Sequence, residues 1–139
     1  MTSGLGGLSG AQPKALEIAG GAGIVAEVDP SRVETRHSQG WVSKVSDDLE
    51  TSVRWMLDAA RAGEPLSVAY QGNVVDLLEY LDANDIAVDL YSDQTSCHVP
   101  YDGGYTPAGV TFEAGRELLA SDRDRFAELV DQSLIRHFQ

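Results

Sequence analysis

Apolar positions along this chain follow two different spacings, and the alternation between them predicts a series of helices and short strands. Residues 11–19 carry alanine, leucine and isoleucine at helical spacing, with Pro13 in the first turn, where proline is tolerated. Residues 23–28, GIVAEV, form a β-branched run that is typical of a buried strand. Residues 29–41 are polar and predict a connection between two elements.

The middle of the chain repeats this alternation. Residues 46–65 predict a helix, and the capping-box spacing of Asp47 and Glu50 indicates its start. The apolar face of this helix consists of Val53, Met56, Leu57 and Ala60. Residues 66–70, LSVAY, predict the next strand, and Asn73 is placed to cap the helix that follows it.

The last third of the chain predicts one more strand and two helices. Residues 86–92, IAVDLYS, predict a third strand, and residues 93–109 predict a long loop rich in glycine and proline. Helical spacing then returns at residues 112–119 and 123–138. Strands that alternate with helices in this way predict an α/β fold, Rossmann-like, in which helices flank a parallel sheet in three layers.

In such sheets ligands bind at the carboxyl ends of the strands, and the unusual segments of this chain all follow strands. These segments are AEVDPSR, YQGN and SDQTSCH. The glycine-rich stretch should also follow a strand, but only Met1 to Ser3 precede it. We therefore expect that its strand is missing and that residues 1–139 form one domain cut from a longer protein.

Charge and cysteine content narrow the classes of partner. Ten basic residues face 22 acidic residues among 139, and the formal net charge of −12 disfavours nucleic acid as a partner. No apolar run is long enough to cross a membrane. Cys97 is the only cysteine, which favours an intracellular, reducing location, and the three histidines have no recognisable metal spacing.

Residues 4–10 contain four glycines and lead into a helix, as phosphate-binding loops do. Gly4 and Gly6 match the start of a dinucleotide fingerprint, whereas Ser9 stands where the third glycine is expected. Glu27 closes the next strand, where a carboxylate can bind ribose hydroxyls and repel a 2′-phosphate, which favours NAD⁺ over NADP⁺. Arg32 can stack on adenine or meet a phosphate. The alternative for the glycine stretch is a flexible chain end.

Residues 93–98, DQTSCH, present several hydrogen-bonding groups at a strand end. Ser96 and His98 suggest a nucleophile and its base, but no acid that would orient the histidine is evident. Cys97 is either a reactive thiol or an inert buried one. A polar turn without catalytic function is the alternative for the whole segment, as a simple helix cap is for Asn73.

Five segments in this order and spacing closely resemble the central nucleotide-binding domain of the urocanase family. They are SGLGGLSGAQPKA, EVDPSR, RHSQGW, QGNVVDLLEYL and DQTSCHVPYDGGYTPAGVTFEAG, and the resemblance covers essentially the whole chain. It implies a Rossmann-like domain of a cytoplasmic homodimeric lyase of histidine catabolism. Such enzymes add water to urocanate, giving 4-imidazolone-5-propanoate, and use tightly bound NAD⁺ as an electrophile instead of a hydride carrier.

The resemblance also implies which residues contact the cofactor. It assigns Gly7, Leu8 and Ser9 to the pyrophosphate, and Glu27 and Arg32 to the adenosine. The remaining cofactor positions that it implies are Asn73, Val74, Gln94, Thr95, Ser96, Cys97, His98, Tyr105 and Thr106. An extra residue in YDGGY weakens the match at the last two.

The family's catalytic cysteine lies in a later domain, so the resemblance assigns no catalytic residue and no metal ligand to this chain. We therefore expect the chain alone to lack hydratase activity and to retain NAD⁺ weakly or not at all. Two alternatives stay open from the residues themselves. They are a stand-alone NAD-dependent oxidoreductase domain and a non-catalytic nucleotide-binding module.

Overall fold

A computed structural model describes residues 1–139, which divide into two compact units. The sheet unit comprises residues 1–72 and 88–94, and the helical unit comprises residues 73–87 and 95–139. None of the helices is both long and apolar enough to cross a membrane.

The sheet unit contains four parallel strands in the order β1-β2-β4-β3, with three α-helices between them. Its elements are β1 Thr2–Ser3, a 3-10 helix Ser9–Ala11, α1 Gln12–Ile18, β2 Ala22–Glu27, α2 Pro30–Ser38, β3 Lys44–Ser46, α3 Leu49–Ala62 and β4 Leu66–Gln71. The predicted α/β fold with a parallel sheet flanked by helices is therefore confirmed. The predicted start of α3 at Asp47 lies one residue too early, because Asp48 is the N-cap of this helix.

The core of this unit lies on both faces of the two central strands, β2 and β4, which pair along their whole lengths. Successive residues of a strand point to opposite faces, so Gly23 and Val25 share one face. Leu16 of α1 lies against Gly23, and Val33 of α2 packs with Val25 and Ala69. Helix α3 contacts the same two strands, and the right-handed return from β3 to β4 places it on the opposite face.

The glycine-rich stretch begins where β1 ends, and β1 lies at a reversal in strand order. On one side β1 pairs with β2, and on the other side Thr2 forms a parallel bridge with Ser92. Ligands of open parallel sheets bind outside the carboxyl ends of the strands at such a reversal. The expectation that the strand before the glycines is missing was wrong, since Thr2–Ser3 forms a short one.

Two other predictions for the sheet unit were wrong. Residues 29–41 are not merely a connection but contain α2, which Asp29 caps by accepting a hydrogen bond from the Ser31 N–H at 2.9 Å. Residues 86–92 do not form a strand, and only Ser92 makes a bridge. Its partner strand β1 is two residues long, which leaves the rest of the run no ladder to join.

The helical unit contains α4 Val74–Ala83, a 3-10 helix Pro100–Asp102, α5 Phe112–Ser121 and α6 Arg123–His137. Tyr105, Phe126 and Val130 form its buried core. Arg136 of α6 donates two hydrogen bonds to Glu79 of α4, each 2.7 Å long. Asn73 caps α4 as predicted, because its side chain accepts the Val75 N–H.

Candidate functional site

Residues 4–10, called here the glycine loop, are anchored in the core of the sheet unit. The Leu5 side chain is 1% exposed and packs in a cluster with Val25, Val33, Val42 and Ala69. Its neighbours come from β2, α2 and β4, so the loop is held from three elements. A flexible chain end would not bury a leucine in this way, so that alternative is excluded.

Two of the loop's glycines are explained by the protein itself. Gly4 has φ +86°, a conformation that disfavours other residues, and its N–H donates to the Ala26 carbonyl at 2.8 Å. A Cβ on Gly10 would lie 2.3 Å from Nε of Arg36, far inside contact distance. The need for glycine at these two positions therefore arises from backbone conformation and internal packing.

Gly6 and Gly7 have no such internal explanation. Neither has a positive φ, and a Cβ on Gly7 would meet no atom within 4 Å. The N–H groups of the four residues from Gly6 to Ser9 donate to no acceptor in the chain, and Leu8 is 95% exposed. A short run of free N–H groups beside an open backbone can bind an anionic oxygen closely.

Glu27 lies at the carboxyl end of β2, as predicted, but it is only 4% exposed. Its Oε2 accepts the Leu5 N–H at 2.7 Å, and its Oε1 accepts the Asp29 N–H at 3.0 Å. Nη1 of Arg32 approaches Oε2 at 3.8 Å. The carboxylate therefore ties the base of the glycine loop to the end of β2, and it has capacity left for a ligand hydroxyl.

Arg36 of α2 is a candidate that sequence reasoning missed. Its Nε donates to the Leu5 carbonyl at 3.1 Å, and its Nη2 donates to the Gly6 carbonyl at 2.9 Å. The missed signal was Asp29-Pro30, a capping residue followed by proline, which predicts a helix start. With α2 in place, Arg36 falls beneath the loop.

Gln94 lies near the glycine loop because Ser3 holds its segment. The Ser3 hydroxyl donates to the carboxylate of Asp93 and accepts the Gln94 N–H at 3.1 Å. A Cβ on Gly4 would lie 3.2 Å from the Gln94 carbonyl oxygen. The sheet unit thus brings together six of the residues predicted to bind the cofactor, namely Gly7, Leu8, Ser9, Glu27, Arg32 and Gln94.

The other eight predicted residues belong to the helical unit. They are Asn73, Val74, Thr95, Ser96, Cys97, His98, Tyr105 and Thr106. Asn73 is 7% exposed and both polar atoms of its amide are bonded, since Oδ1 accepts the Val75 N–H at 3.0 Å and Nδ2 donates to the Thr106 carbonyl at 2.8 Å. This side chain therefore holds the Thr106 backbone in place.

The remaining members of this group differ in exposure. Tyr105 is 2% exposed, and its hydroxyl lies 3.1 Å from Nδ1 of His137, so it belongs to the core. Ser96, Cys97 and His98 are exposed, and no hydrogen bond joins Ser96 to His98. Exposure contradicts the buried alternative for Cys97. The structure therefore does not pair Ser96 with His98 as a nucleophile and its base.

Nearly the whole sequence is similar to known proteins. A family model described as the Urocanase Rossmann-like domain matches residues 1–139. A protein named probable urocanate hydratase from Caenorhabditis elegans is 48% identical over 137 residues, which are 98% of this chain and 20% of that protein. Urocanate hydratase from Mus musculus is 46% identical, over 99% of this chain and 21% of that protein. The chain therefore spans about a fifth of the length of these relatives.

Proposed function

Because the chain belongs to the urocanase family, we propose that it is the NAD⁺-binding part of a urocanate hydratase. The whole enzyme would add water to urocanate and form 4-imidazolone-5-propanoate in histidine degradation. NAD⁺, when bound, would supply an electrophile without net transfer of hydride. A cytoplasmic homodimer is the assembly we propose for that longer protein.

The observation that carries this proposal is the glycine loop. Four consecutive N–H groups, from Gly6 to Ser9, have no acceptor in the chain, and Gly7 has no internal reason to be glycine. A pyrophosphate needs both features, namely several N–H donors and a backbone that it can approach closely. The loop also stands at the carboxyl end of β1, where the strand order reverses.

Acidic side chains next to the loop favour NAD⁺ over NADP⁺. Glu27 and Asp29 lie at and just beyond the end of β2, and Arg32 reaches both carboxylates at 3.8 and 3.5 Å. The carboxylates would accept hydrogen bonds from the adenosine ribose, and they would repel a 2′-phosphate. The two carboxylates already offset part of the Arg32 charge, which leaves less of it to compensate for a 2′-phosphate.

The helical unit carries the other residues that we propose contact the cofactor. We propose that the exposed Ser96, Cys97 and His98 meet the cofactor through hydrogen bonds and packing, with no catalytic role of their own. The catalytic cysteine would come from a part of the enzyme outside this chain. The chain alone would then bind NAD⁺ weakly and would leave the ultraviolet absorbance of urocanate unchanged.

Gly7→Ala tests the proposal, with NAD⁺ titrated into the chain and followed by NMR. A methyl group at Gly7 meets no protein atom, so the melting temperature should stay the same or rise slightly, whereas NAD⁺ affinity should fall at least tenfold. Gly115→Ala in α5 is the control, because a Cβ there would also make no contact closer than an ordinary 3.6 Å. Equal NAD⁺ affinity in Gly7→Ala and the parent chain would contradict the proposed site.

Two further measurements, of NAD⁺ reduction and of ADP binding, separate the alternatives. A stand-alone oxidoreductase would reduce NAD⁺ in the presence of an oxidisable substrate, which is seen as dihydronicotinamide absorbance. A nucleotide-binding module would bind ADP as well as it binds NAD⁺, with no gain from the nicotinamide half. Mass spectrometry of the denatured longer protein would show whether NAD⁺ co-purifies with it.

A further inference from the structure

Arg36 is fixed in place by contacts at all three of its guanidinium nitrogens. Nε and Nη2 donate to the carbonyls of Leu5 and Gly6, and Nη1 donates to Oε1 of Gln39 at 3.1 Å. The guanidinium also lies 5.1 Å from the centre of the Trp41 ring, within the range of a cation–π contact. The side chain is half-buried, so these contacts are shielded in part from water.

The two carbonyls that Arg36 binds are consecutive, and this fixes the direction of two N–H groups. In a trans peptide the carbonyl of one residue and the N–H of the next point in opposite directions. No peptide bond in the chain is cis. With the Leu5 and Gly6 carbonyls turned toward Arg36, the N–H groups of Gly6 and Gly7 must point away from it.

Arg36 also explains Gly10. The guanidinium fills the space where a side chain at position 10 would lie, with Nε 2.3 Å from the Cβ position. The Gly10 N–H donates to the same Gly6 carbonyl, at 2.9 Å, that Nη2 of Arg36 binds. Gly10 is therefore required by the arginine, whereas a Cβ on Gly7 would meet no atom within 4 Å.

We propose that Arg36 is a positioning residue for the diphosphate of a nucleoside diphosphate or dinucleotide. It donates hydrogen bonds to the Leu5 and Gly6 carbonyls and thereby orients the N–H groups of Gly6 and Gly7 toward the anion. Its charge also lies behind the loop in a chain of formal net charge −12 and attracts the diphosphate from there. This role deepens, and rests on, the proposed binding of NAD⁺.

Arg36→Lys tests this role, because lysine keeps the charge but cannot bind two carbonyls with a planar fork. The probes are ADP and adenosine, each titrated into the chain by NMR. ADP affinity should fall about tenfold, the scale of lost hydrogen bonds to a charged donor. Adenosine affinity should change less than twofold. Arg54→Lys is the control, because Arg54 is an exposed arginine of α3 whose guanidinium makes one long hydrogen bond, to the Thr51 hydroxyl.

A merely structural role would weaken both ligands together, and this result would overturn the proposal. Wild-type affinity of Arg36→Lys for ADP would also overturn it. If the parent chain bound neither ligand, the weak nucleotide binding proposed for the chain alone would fail instead. Residual dipolar couplings of the Gly6 and Gly7 N–H vectors, measured without ligand, then decide the role of Arg36. These couplings should change in Arg36→Lys. Unchanged couplings would refute the proposal that Arg36 fixes the direction of the two N–H groups.

Discussion

The glycine loop and residues 95–98 were both predicted to bind the cofactor, yet the two regions differ in burial and in how their backbone is held. Leu5 in the loop is buried, and its N–H and carbonyl are bound by Glu27 and Arg36. In contrast, Ser96, Cys97 and His98 are exposed in a segment without regular structure. The comparison shows that one predicted region is fixed by the fold and the other is presented on the surface, and it predicts that mutations in the two regions act on different quantities.

The largest expected effect is on stability, at the anchor of the loop. Leu5→Ala should lower the free energy of unfolding by about 2–5 kcal/mol, because it removes a buried leucine from the core of the sheet unit. Leu8→Ala is a matched control in the same loop, since Leu8 is 95% exposed and should change stability by less than about 0.5 kcal/mol. Urea denaturation measures both. Equal effects would mean that the loop is not anchored through Leu5.

Glu27→Ala should act on both stability and binding. It leaves the Leu5 and Asp29 N–H groups without their acceptor, which should cost about 1–3 kcal/mol of unfolding free energy. NAD⁺ affinity should fall by a similar free energy, and the preference for NAD⁺ over NADP⁺ should narrow. Glu34→Ala, an exposed change on α2, provides the control. Unchanged stability in urea would show that Glu27 does not hold the loop.

Much of the sheet unit could be predicted because its two central strands have a clear sequence pattern. Residues 23–28 and 66–70 were predicted within one residue of β2 and β4, since both are short apolar runs bounded by turns. Helix α2 escaped notice because it buries only Val33, so its apolar period is too weak to detect. The short β3 escaped for a similar reason, with three residues and none of them fully buried.

The contacts that shape the site depended on what the sequence does not display. Arg36 reaches back to carbonyls 30 and 31 residues earlier, and no motif marks such a long-range bond. Glu27 was predicted at its strand end, but its bond to the Leu5 N–H requires the fold. Residues 86–92 have strand propensity without a long partner, so tertiary context overrode the local preference.

A smaller effect is expected on the pH dependence of stability, through Glu17 of α1. Partial burial raises the pKa of this carboxyl, but hydrogen bonds from the Ser43 and Ser67 hydroxyls and the Ser67 N–H outweigh it, and the net pKa is lowered. A lowered folded-state pKa gives stability that is present above the ordinary value of 4.5 and is lost as the pH falls through the folded value. Glu17→Gln should therefore flatten the loss of stability in acid.

In the helical unit, Asp76 and Glu79 provide the contrast for that measurement. The hydrogen bond from Arg136 lowers the pKa of Glu79, whereas burial raises the pKa of Asp76, with Glu79 adding to the rise and Arg136 opposing it. Their contributions to the acid transition have opposite signs and therefore partly cancel. Urea midpoints between pH 3 and 6, about the range in which carboxyls titrate, measure the effect. An acid transition of Glu17→Gln that coincides with that of the parent chain would refute the assignment.

The smallest effect on stability is expected at His98. Its side chain is exposed, so His98→Ala should change the free energy of unfolding by less than about 0.5 kcal/mol. In the proposed longer protein, however, the proposed contact with the cofactor predicts weaker NAD⁺ binding, which mass spectrometry after dialysis would detect as lost cofactor. His37→Ala is the control, because His37 is an exposed histidine of α2 whose Nδ1 lies 3.0 Å from the Val42 carbonyl. A His98→Ala protein that unfolds readily would place this residue in the folding core with Leu5, whereas full retention of NAD⁺ would remove His98 from the site.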